Sequence, residues 1–336
     1  MISDERLRER LDVFPRLRVG LVGDLFLDRY FRIDPAMQVR SIETGLEAYQ
    51  VGSVRNSPGA MGTVMSNLTA LGVGRVVPVT VIGDDGHGED LIRQFDEDRV
   101  ELAHVISDNE RLTPTYLKPL KRDAAGTWRE LNRFDVRTCE PIAERASKTI
   151  CRHLHEVFES TDGLIVVDHV GEANWGVVND VVRAELESLA RQQPEKLIFI
   201  DSREHIGEFH AGCLKGNEFE VTAAVGGTAD PQSATETLAR QTGRTAWCTL
   251  GEAGMLYAKP DADAVPVPAF AVDGPVDIVG AGDAATSGIV ASLIAGASEG
   301  EAAVIGNLTA SITVAQLGTT GTASPEQLIE RLQSER

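Results

Sequence analysis

Short runs of β-branched and other apolar residues alternate along the chain with longer stretches whose apolar positions recur every three or four residues. The short runs predict buried strands at 17–24, 76–83, 163–168, 196–201, 245–251 and 254–258. The longer stretches predict helices at 60–72, 86–99, 141–159, 174–192, 231–242, 284–296, 299–316 and 324–335. This alternation is typical of an α/β fold with a mostly parallel sheet, which binds ligands beyond the carboxyl ends of its strands.

Two stretches, 30–58 and 111–137, break this alternation because they contain short extended pieces and turns where helices would be expected. We expect them to form a small β lid beside the main body. Neither a repeat nor a linker-like stretch divides the sequence. The pattern therefore predicts a single α/β domain over residues 1–336, with the two lid segments inserted in it.

Composition and charge narrow the partners of this domain. The 336 residues are 42% apolar and 25% charged, which suffices for a full core, and the net charge is −19. Such a charge disfavours nucleic acid and anionic membranes as partners. The N-terminal stretch is charged and does not resemble a secretory signal, and the apolar stretches are too short to span a bilayer. With four scattered cysteines and no CxxC pair, we expect reduced thiols and a cytoplasmic location.

The candidate chemistry centres on the sequence DIVGAGDAATSG at 277–288. Gly280, Ala281 and Gly282 leave backbone amides uncovered at the start of a predicted helix, which is a way to bind an anion. As a dinucleotide fingerprint, this turn would lack a clean preceding strand, and Asp283 would repel a bound pyrophosphate. In phosphoryl transfer, by contrast, Asp283 can take the proton of an acceptor alcohol. Asp283 can also be a simple helix cap, and the turn by itself does not separate these alternatives.

Two further motifs favour phosphoryl transfer. Asn217 and Glu220 lie three residues apart at a strand-to-helix junction, where an amide and a carboxylate can hold hydrated Mg²⁺ or merely start a helix. Thr249, Gly251 and Gly254 punctuate a predicted hairpin, where glycine permits close approach of a ligand or makes a turn.

The order of these motifs resembles that of the ribokinase-like (PfkB-type) carbohydrate kinases. Asn217-x-x-Glu220 comes first, then Thr249-x-Gly251-x-x-Gly254, then Asp277-x-x-Gly280-Ala281-Gly282-Asp283. Upstream, GDLFLDRYF, PGAMGTVMSNLTALG and VTVIGDDGHGEDL stand where the family has its substrate loop and its Gly-Asp-Asp-containing stretch. Within the family, GDLFLDRY, NRFDVR and IFIDSR are most similar to the heptose 7-phosphate kinase branch. Because no nucleotidyltransferase domain follows, we expect a kinase alone.

The resemblance implies a ribokinase-like three-layer α/β/α fold with a mostly parallel central sheet and a β lid. It implies ATP with Mg²⁺, a small sugar or sugar-phosphate acceptor, and a homodimer paired through the lid. Asp283 would be the general base, and the amides of Gly280, Ala281 and Gly282 the anion hole. The further implied roles are Mg²⁺ and nucleotide binding by Asn217 and Glu220, nucleotide binding by Thr249, Gly251 and Gly254, acceptor binding by Asp24, Asp28, Gly59 and Thr63, and binding of a monovalent cation such as K⁺ by Asp277.

The substrate loop departs from the family pattern Gly-Gly-x-x-Asn. Ala60 stands where the second glycine is usual, and Thr63 where the asparagine is usual. Because a site built for one hydrogen-bond pattern discriminates against another, the resemblance does not carry over a particular acceptor. An alternative to a kinase is therefore a catalytically idle sensor of the same fold that binds a nucleotide or a sugar.

Positive charge is concentrated in the second lid segment. Residues 111–137 hold three acidic residues and seven basic ones, a net of +4, the basic ones being Arg111, Lys118, Lys121, Arg122, Arg129, Arg133 and Arg137. Such a lid can hold an acceptor that already bears a phosphate, or it can be an ordinary solvated face. Arg203, directly after a predicted strand, is a further candidate for an acceptor phosphate, with a surface ion pair as the alternative.

Overall fold

The computed structural model describes residues 2–34, 36–37, 39–123 and 125–335. Its strands, in chain order, are β1 Arg18–Gly23, β2 Leu25–Ile33, β3 Val39–Arg40, β4 Glu47–Ala48, β5 Val51–Ala60, β6 Arg75–Gly83, β7 Val105–Asp108, β8 Thr115–Arg122, β9 Trp128–Glu130, β10 Phe134–Val136, β11 Gly163–Asp168, β12 Leu197–Ser202, β13 Cys213–Asn217, β14 Ala246–Thr249, β15 Met255–Ala258 and β16 Val265–Val267. Its helices are α1 Asp4–Leu11, α2 Met61–Ala70, α3 Gly86–Ile92, α4 Glu144–Ser160, α5 Asp180–Gln192, α6 Glu218–Ala224, α7 Pro231–Thr242, α8 Ala281–Ile294, α9 Glu299–Thr313 and α10 Pro325–Ser334.

The central sheet has the strand order β16-β15-β14-β13-β12-β11-β1-β6-β7. The pairs from β14 to β7 are parallel, and β15 and β16 add an antiparallel edge. Their parallel arrangement brings the carboxyl ends of β1, β11, β12 and β13 to one edge of the sheet. In the sheet β1 lies between β11 and β6, so the strand order reverses there. The carboxyl ends of the strands at such a reversal are where α/β sheets bind ligands.

Helices cover both faces of this sheet, as the near-continuous apolar strands require. One face packs on α1, α2, α8, α9 and α10, through buried residues such as Leu68, Ile289 and Leu308. The other face packs on α4, α5, α6 and α7, through residues such as Leu154, Leu186 and Leu238. The three-layer α/β/α architecture with a mostly parallel sheet is therefore confirmed.

The β lid is also confirmed, and it is larger than predicted. A second sheet has the order β10-β8-β2-β5, with β9 paired to β8. It starts at Leu25 and includes Ala60, outside the predicted segment 30–58, because β2 continues almost directly from β1. Strands β3 and β4 form a separate two-stranded sheet.

Several predicted boundaries were wrong. The helix expected at 86–99 ends at Ile92, and the one expected at 174–192 begins only at Asp180, where the Asn179 side chain accepts a hydrogen bond from the Val182 amide. Three short strands of the main sheet, β7, β13 and β16, were not among the predicted ones. The four cysteines are free. Within the described ranges, no helix combines the length and the apolar character needed to cross a membrane.

Candidate active site

A buried ion pair lies at the carboxyl edge of β12 and β13. The Lys215 ammonium donates to Asp201 Oδ2 at 2.8 Å, and both side chains are at most 5% exposed. The Thr286 hydroxyl on α8 donates to the same oxygen at 2.6 Å. Burial alone would raise the pKa of Asp201 and lower the pKa of Lys215. For Asp201, the attraction of Lys215 and His169 outweighs burial and lowers the pKa. For Lys215, the attraction of Asp201, Asp283 and Glu220 outweighs burial and raises the pKa. The pair therefore stays ionised, with an ammonium fixed at the strand ends.

Asp283 lies beside this pair in the first turn of α8. Its carboxylate oxygen, one oxygen of Asp201 and a ring nitrogen of His169 all lie within 4.8 Å of one another. Burial raises the pKa of Asp283, and the neighbouring charge of Asp201 adds to this, whereas His169, Lys215 and Arg203 act in the opposite direction. A carboxylate with a raised pKa is a better proton acceptor than an exposed one.

The turn before Asp283 is built as the motif predicts, with one exception. Gly280 has φ +83° and leads into α8, and a Cβ there would lie 2.7 Å from the Thr320 methyl, so only glycine fits. The Ala281 amide, predicted as one of three anion donors, instead donates to the Ile278 carbonyl at 3.1 Å. This turn hydrogen bond already uses the Ala281 donor, which leaves the amides of Gly280 and Gly282 as the candidates.

The turn does not meet the structural requirement of a dinucleotide fingerprint. Such a fingerprint follows a strand directly, but residues 268–279 form no strand between β16 and α8. The dinucleotide interpretation, which was the weaker one from the sequence, is thus not supported by the fold.

The Asn217–Glu220 motif forms a capping box at the start of α6. Asn217 Oδ1 accepts from the amides of Phe219 and Glu220, and Glu220 Oε2 accepts from the Asn217 amide. The helix-start alternative is therefore correct at the level of contacts. Burial raises the pKa of Glu220, whose second oxygen has no part in the capping box.

The motif predicted to bind the nucleotide lies in the β14–β15 hairpin, as expected. Gly251 and Gly254 have positive φ angles of 57° and 97°, and Gly254 is packed so closely that a Cβ would lie 2.2 Å from the Val267 carbonyl oxygen. Gly251 has open space around it, and Thr249 is half-buried at the end of β14. Gly254 thus shapes the hairpin, while Gly251 and Thr249 are accessible.

The two predicted acceptor carboxylates lie at the junction of main sheet and lid. Asp24 is 6% exposed, and its Oδ1 accepts from the Val177 amide at 2.8 Å. Burial raises the pKa of Asp24 to about 7. Asp28, on β2, forms an ion pair of 2.9 Å with Lys118 and lies against the backbone of Gly59.

Thr63 does not project into this junction. It is 4% exposed on α2, its methyl faces the position that a Cβ on Gly280 would take, at 3.2 Å, and its hydroxyl points to the Pro58 carbonyl at 3.5 Å. This placement favours a packing role. Ala60 precedes α2 with φ +50° and ψ −121°, a conformation suited to the glycine that the family pattern has there.

Carboxylates compensate most of the positive charge of the lid. Five of the seven basic residues of 111–137 form ion pairs, with Asp28, Glu47, Asp123, Asp135 and Glu172. Asp28, Glu47 and Glu172 come from outside the segment, so the local excess counted from the sequence is largely neutralised in space. Arg203 is exposed, and its charge acts on the Asp283 carboxylate, lowering its pKa.

Asp277, the predicted cation ligand, joins two loops. Its Oδ1 accepts from the Val279 amide and its Oδ2 from the Gly318 amide, each at 3.2 Å. This arrangement holds the turn before α8 against the segment after α9.

Sequence reasoning missed Lys215, His169 and Thr286 as members of the site. A signal for Lys215 was present, because a lysine in the short apolar stretch before Asn217 must find a buried partner. His169 follows β11 directly, at the strand end where ligand-binding residues collect.

The fold and the site together define a ribokinase-like α/β protein with a carboxylate at a helix N-terminus. A solved structure of Arabidopsis thaliana ribokinase complexed with ribose and ATP is similar with a TM-score of 0.69 at 15% identity, covering 94% of this chain and 99% of that one. A ribokinase structure from Thermotoga maritima gives a TM-score of 0.65 at 19% identity, over 94% and 99% of the two chains.

Residues 31–327 match the model of the pfkB family carbohydrate kinases, and the chain belongs to this family. The family is one of carbohydrate kinases, which are phosphotransferases. The bifunctional protein HldE of Mesorhizobium japonicum is 27% identical over 325 residues, or 94% of this chain. The chain spans 62% of the length of that relative.

Proposed function

We propose that this protein transfers the γ-phosphoryl group of ATP to a hydroxyl of a sugar or sugar phosphate, with Asp283 as the general base. One observation carries the proposal. The Asp283 carboxylate lies within 4.8 Å of ligand atoms of Asp201 and His169, at the strand ends and directly after the Gly280–Gly282 turn. A proton acceptor and an anion-binding turn are thus adjacent, as transfer to an alcohol requires.

The acceptor hydroxyl donates its proton to Asp283 as its oxygen attacks the γ-phosphorus of ATP, and the bond from that phosphorus to the departing ADP breaks. The amides of Gly280 and Gly282 then face the negative charge on that group. Lys215 supports the same step, because its ammonium lies 3.1 Å from the position that a Cβ on Gly282 would take. Its charge is fixed by Asp201 and needs no rearrangement when the phosphoryl group moves.

The residues at the start of α6 fit Mg²⁺ held through water. The charges of Lys215 and Asp201 act on the Glu220 carboxylate, and one oxygen of this carboxylate has no part in the capping box. The free oxygen of Glu220 would hold the ion through water, and Asn217 would support it by fixing the start of α6; when bound, the ion offsets the negative charge of the nucleotide phosphates. Thr249, Gly251 and Gly254 would line the nucleotide.

For the acceptor, we assign hydroxyl binding to Asp24 and Asp28, with Gly59 forming the wall beside Asp28. Arg203 would contact an acceptor phosphate, since its charge reaches the Asp283 carboxylate. The role of Thr63 is indirect, through packing beneath the Gly280 turn. Asp277 would support a monovalent cation such as K⁺ beside the turn.

We further propose a homodimer paired through the lid. Apolar side chains on the lid segments are exposed, among them Ile42, Leu46, Val54 and Phe134, at 103%, 70%, 54% and 64%. Such a concentration of exposed apolar residues marks an interaction surface, and a second copy of the lid offers a matching one.

The test is ADP release from Mg²⁺-ATP with free sugars, sugar phosphates (heptose 7-phosphate and fructose 6-phosphate among them) and nucleosides. With the acceptor that turns over, Asp283→Asn should lower kcat by about 10²- to 10⁴-fold and leave ligand binding intact. The exposed Asp273→Asn is the matched control and should behave as the wild type. Ligand binding without turnover on any acceptor would favour the idle sensor instead.

A further inference from the structure

The side of the cleft that faces the lid holds two buried polar atoms without a protein partner. Among the described residues, neither Oδ2 of Asp24 nor Nδ1 of His169 has a hydrogen-bond partner, and both atoms are inaccessible to solvent. The two residues line the same small cleft of about 70 Å³, together with Phe26, Tyr116 and Trp175. Leaving such atoms unpaired destabilises the fold, so the cleft suits a ligand that pairs them.

His169 connects this cleft to the cluster that it forms with Asp201 and Asp283. Its side chain is 4% exposed, and its Nε2 lies 3.8 Å from Asp201 Oδ1. The same residue has a ring nitrogen within 4.8 Å of the Asp283 carboxylate. The imidazole therefore stands between the cleft and the proposed base, where an acceptor would have to lie.

We propose, resting on the proposed kinase function, that His169 is an acceptor-binding residue that accepts a hydrogen bond from a hydroxyl next to the one phosphorylated. The ionised Asp201 beside Nε2 favours the tautomer with the proton on Nε2. Nδ1 then carries an unpaired lone pair, and the deprotonated form of Asp24 carries another on Oδ2. Two hydrogen-bond acceptors in one buried cleft select a ligand with two donors.

The chemical class that meets this requirement is a diol or polyol. Each hydroxyl can donate to one of the two atoms, while the apolar faces of Phe26 and Trp175 contact the carbon skeleton. A phosphate presented to the same two atoms would bring negative charge against Asp24 and offer them no strong donor. Because Arg111 and Arg137 also line the cleft, a phosphate on the acceptor would lie at their guanidinium groups, and the ring hydroxyls would lie between Asp24 and His169.

A different occupant of the same cluster is a divalent metal, since His169, Asp201 and Asp283 are ligand types for one. The Lys215 ammonium, bound to Asp201 at 2.8 Å, places a positive charge beside that position and disfavours a cation. The polyol is accordingly the occupant that the contacts favour.

The experiment measures binding without turnover. The full chain is titrated calorimetrically, in the absence of nucleotide, with ribose, fructose 6-phosphate and heptose 7-phosphate, and separately with ATP and with Mn²⁺. His169→Phe removes both ring nitrogens and keeps a flat ring, and His169→Gln restores a polar group. His155→Gln, an exposed histidine paired with Glu185, is the matched control.

The expected result is that His169→Phe weakens binding of the sugar by about tenfold or more, while ATP binding stays within twofold of the wild type. His169→Gln should recover part of the loss. A deoxy analogue lacking the contacted hydroxyl should bind the wild type and His169→Phe equally. This pattern would not arise from a general structural defect, because the ATP affinity would then fall as well.

Three results would overturn the inference: unchanged sugar binding in His169→Phe, no binding of any of the three sugars by the wild type, or a loss confined to Mn²⁺. The proposed function fails separately, through full turnover in Asp283→Asn. Because the titrations contain no nucleotide, that failure would leave the binding result standing.

Discussion

The Lys215 ammonium lies against the backbone of Gly282, 3.1 Å from the position that a side-chain Cβ would occupy. A charged group on β13 is thereby brought to the first turn of α8, although 66 residues separate the two positions in the chain. The Lys215 ammonium is also bound by Asp201, which holds it close to Gly282.

Gly282→Ala should therefore impair transfer more than nucleotide binding. The added methyl would meet Lys215 and displace the ammonium from the anion-binding turn. We expect kcat to fall by about tenfold or more, with a smaller change in the KM for ATP. Steady-state kinetics on both substrates checks this. Gly86→Ala, also in the first helical turn but with open space around it, should have normal kinetics, and equal losses in the two variants would contradict the argument.

Lys215→Met should destabilise the fold as well as inactivate the enzyme. Removing one partner leaves the Asp201 charge buried without compensation, at a cost of about 3–5 kcal/mol in the free energy of unfolding. Chemical denaturation of the two single variants and of the double variant Lys215→Met with Asp201→Asn measures this free energy of unfolding. The double variant should recover much of the stability and none of the activity, because the ammonium is still missing. Recovered activity would show that the lysine serves only to neutralise Asp201.

Ala60→Gly should stabilise the protein. Ala60 adopts φ +50° and ψ −121°, a strained conformation for a residue with a Cβ. Glycine relieves this strain, and we expect the free energy of unfolding to rise by about 1 kcal/mol. Ala70→Gly, at the last residue of α2, is the matched control and should lower it by a similar amount. Thermal unfolding of the two variants and the wild type measures these changes in stability. A loss of stability in both variants would mean that Ala60 carries no strain.

The buried Asp24 makes stability fall as pH rises. The fold raises the pKa of Asp24 from 3.8 to about 7, so the native state binds the proton more tightly than the unfolded chain. Between about pH 4 and pH 7, deprotonation therefore costs the native state more, at ~1.4 kcal/mol for each unit of pKa shift. Asp24→Asn keeps the carbonyl that accepts from Val177 and does not titrate.

The melting temperature of Asp24→Asn should thus exceed that of the wild type at pH 8 and approach it at pH 5. The exposed Asp12→Asn provides the baseline. A constant difference between Asp24→Asn and the wild type across this range would remove Asp24 as the source of the effect.

The proposed lid dimer predicts that charge on the exposed lid face produces monomers. Val54→Glu with Phe134→Glu places two carboxylates on that face, and sedimentation velocity should show half the mass of the wild type. Val265→Glu, exposed on the edge strand β16 away from the lid, should leave the assembly unchanged. A wild-type protein that sediments as a monomer would refute the dimer directly.

The layers of the fold and the lid could be predicted because each rests on local periodicity. Helix α7 matches its predicted range, Pro231–Thr242, because the Asp230 cap and Gly243 bracket a regular apolar stripe. The helix expected at 174–192 was too long because residues 174–178 are held as a loop in which the Val177 amide donates to Asp24 Oδ1. Strand β13 was missed because it is short and contains Lys215.

The site was predictable only where a motif is contiguous. Asp283 and the glycine turn lie next to each other in the sequence, and the structure keeps them together. The contacts among His169, Asp201 and Lys215 arise because β11, β12 and β13 are neighbours in the sheet, and no local pattern encodes that adjacency. The capping box of Asn217 and the ion pairs of the lid likewise depend on partners whose positions only the fold specifies.

Two of the chain connections between the lid and the main body lie close together. β2 leaves β1 at Asp24, β5 ends at Ala60, and the Met61 amide donates to the Asp24 carbonyl at 3.1 Å, which locks the two connections together. Asp24 therefore lies on the backbone that joins the lid to the main sheet, and a movement of the lid at this junction would also move Asp24. Closure of the lid over a sugar would then also position Asp24 against that sugar. The strained backbone of Ala60 lies at the same junction.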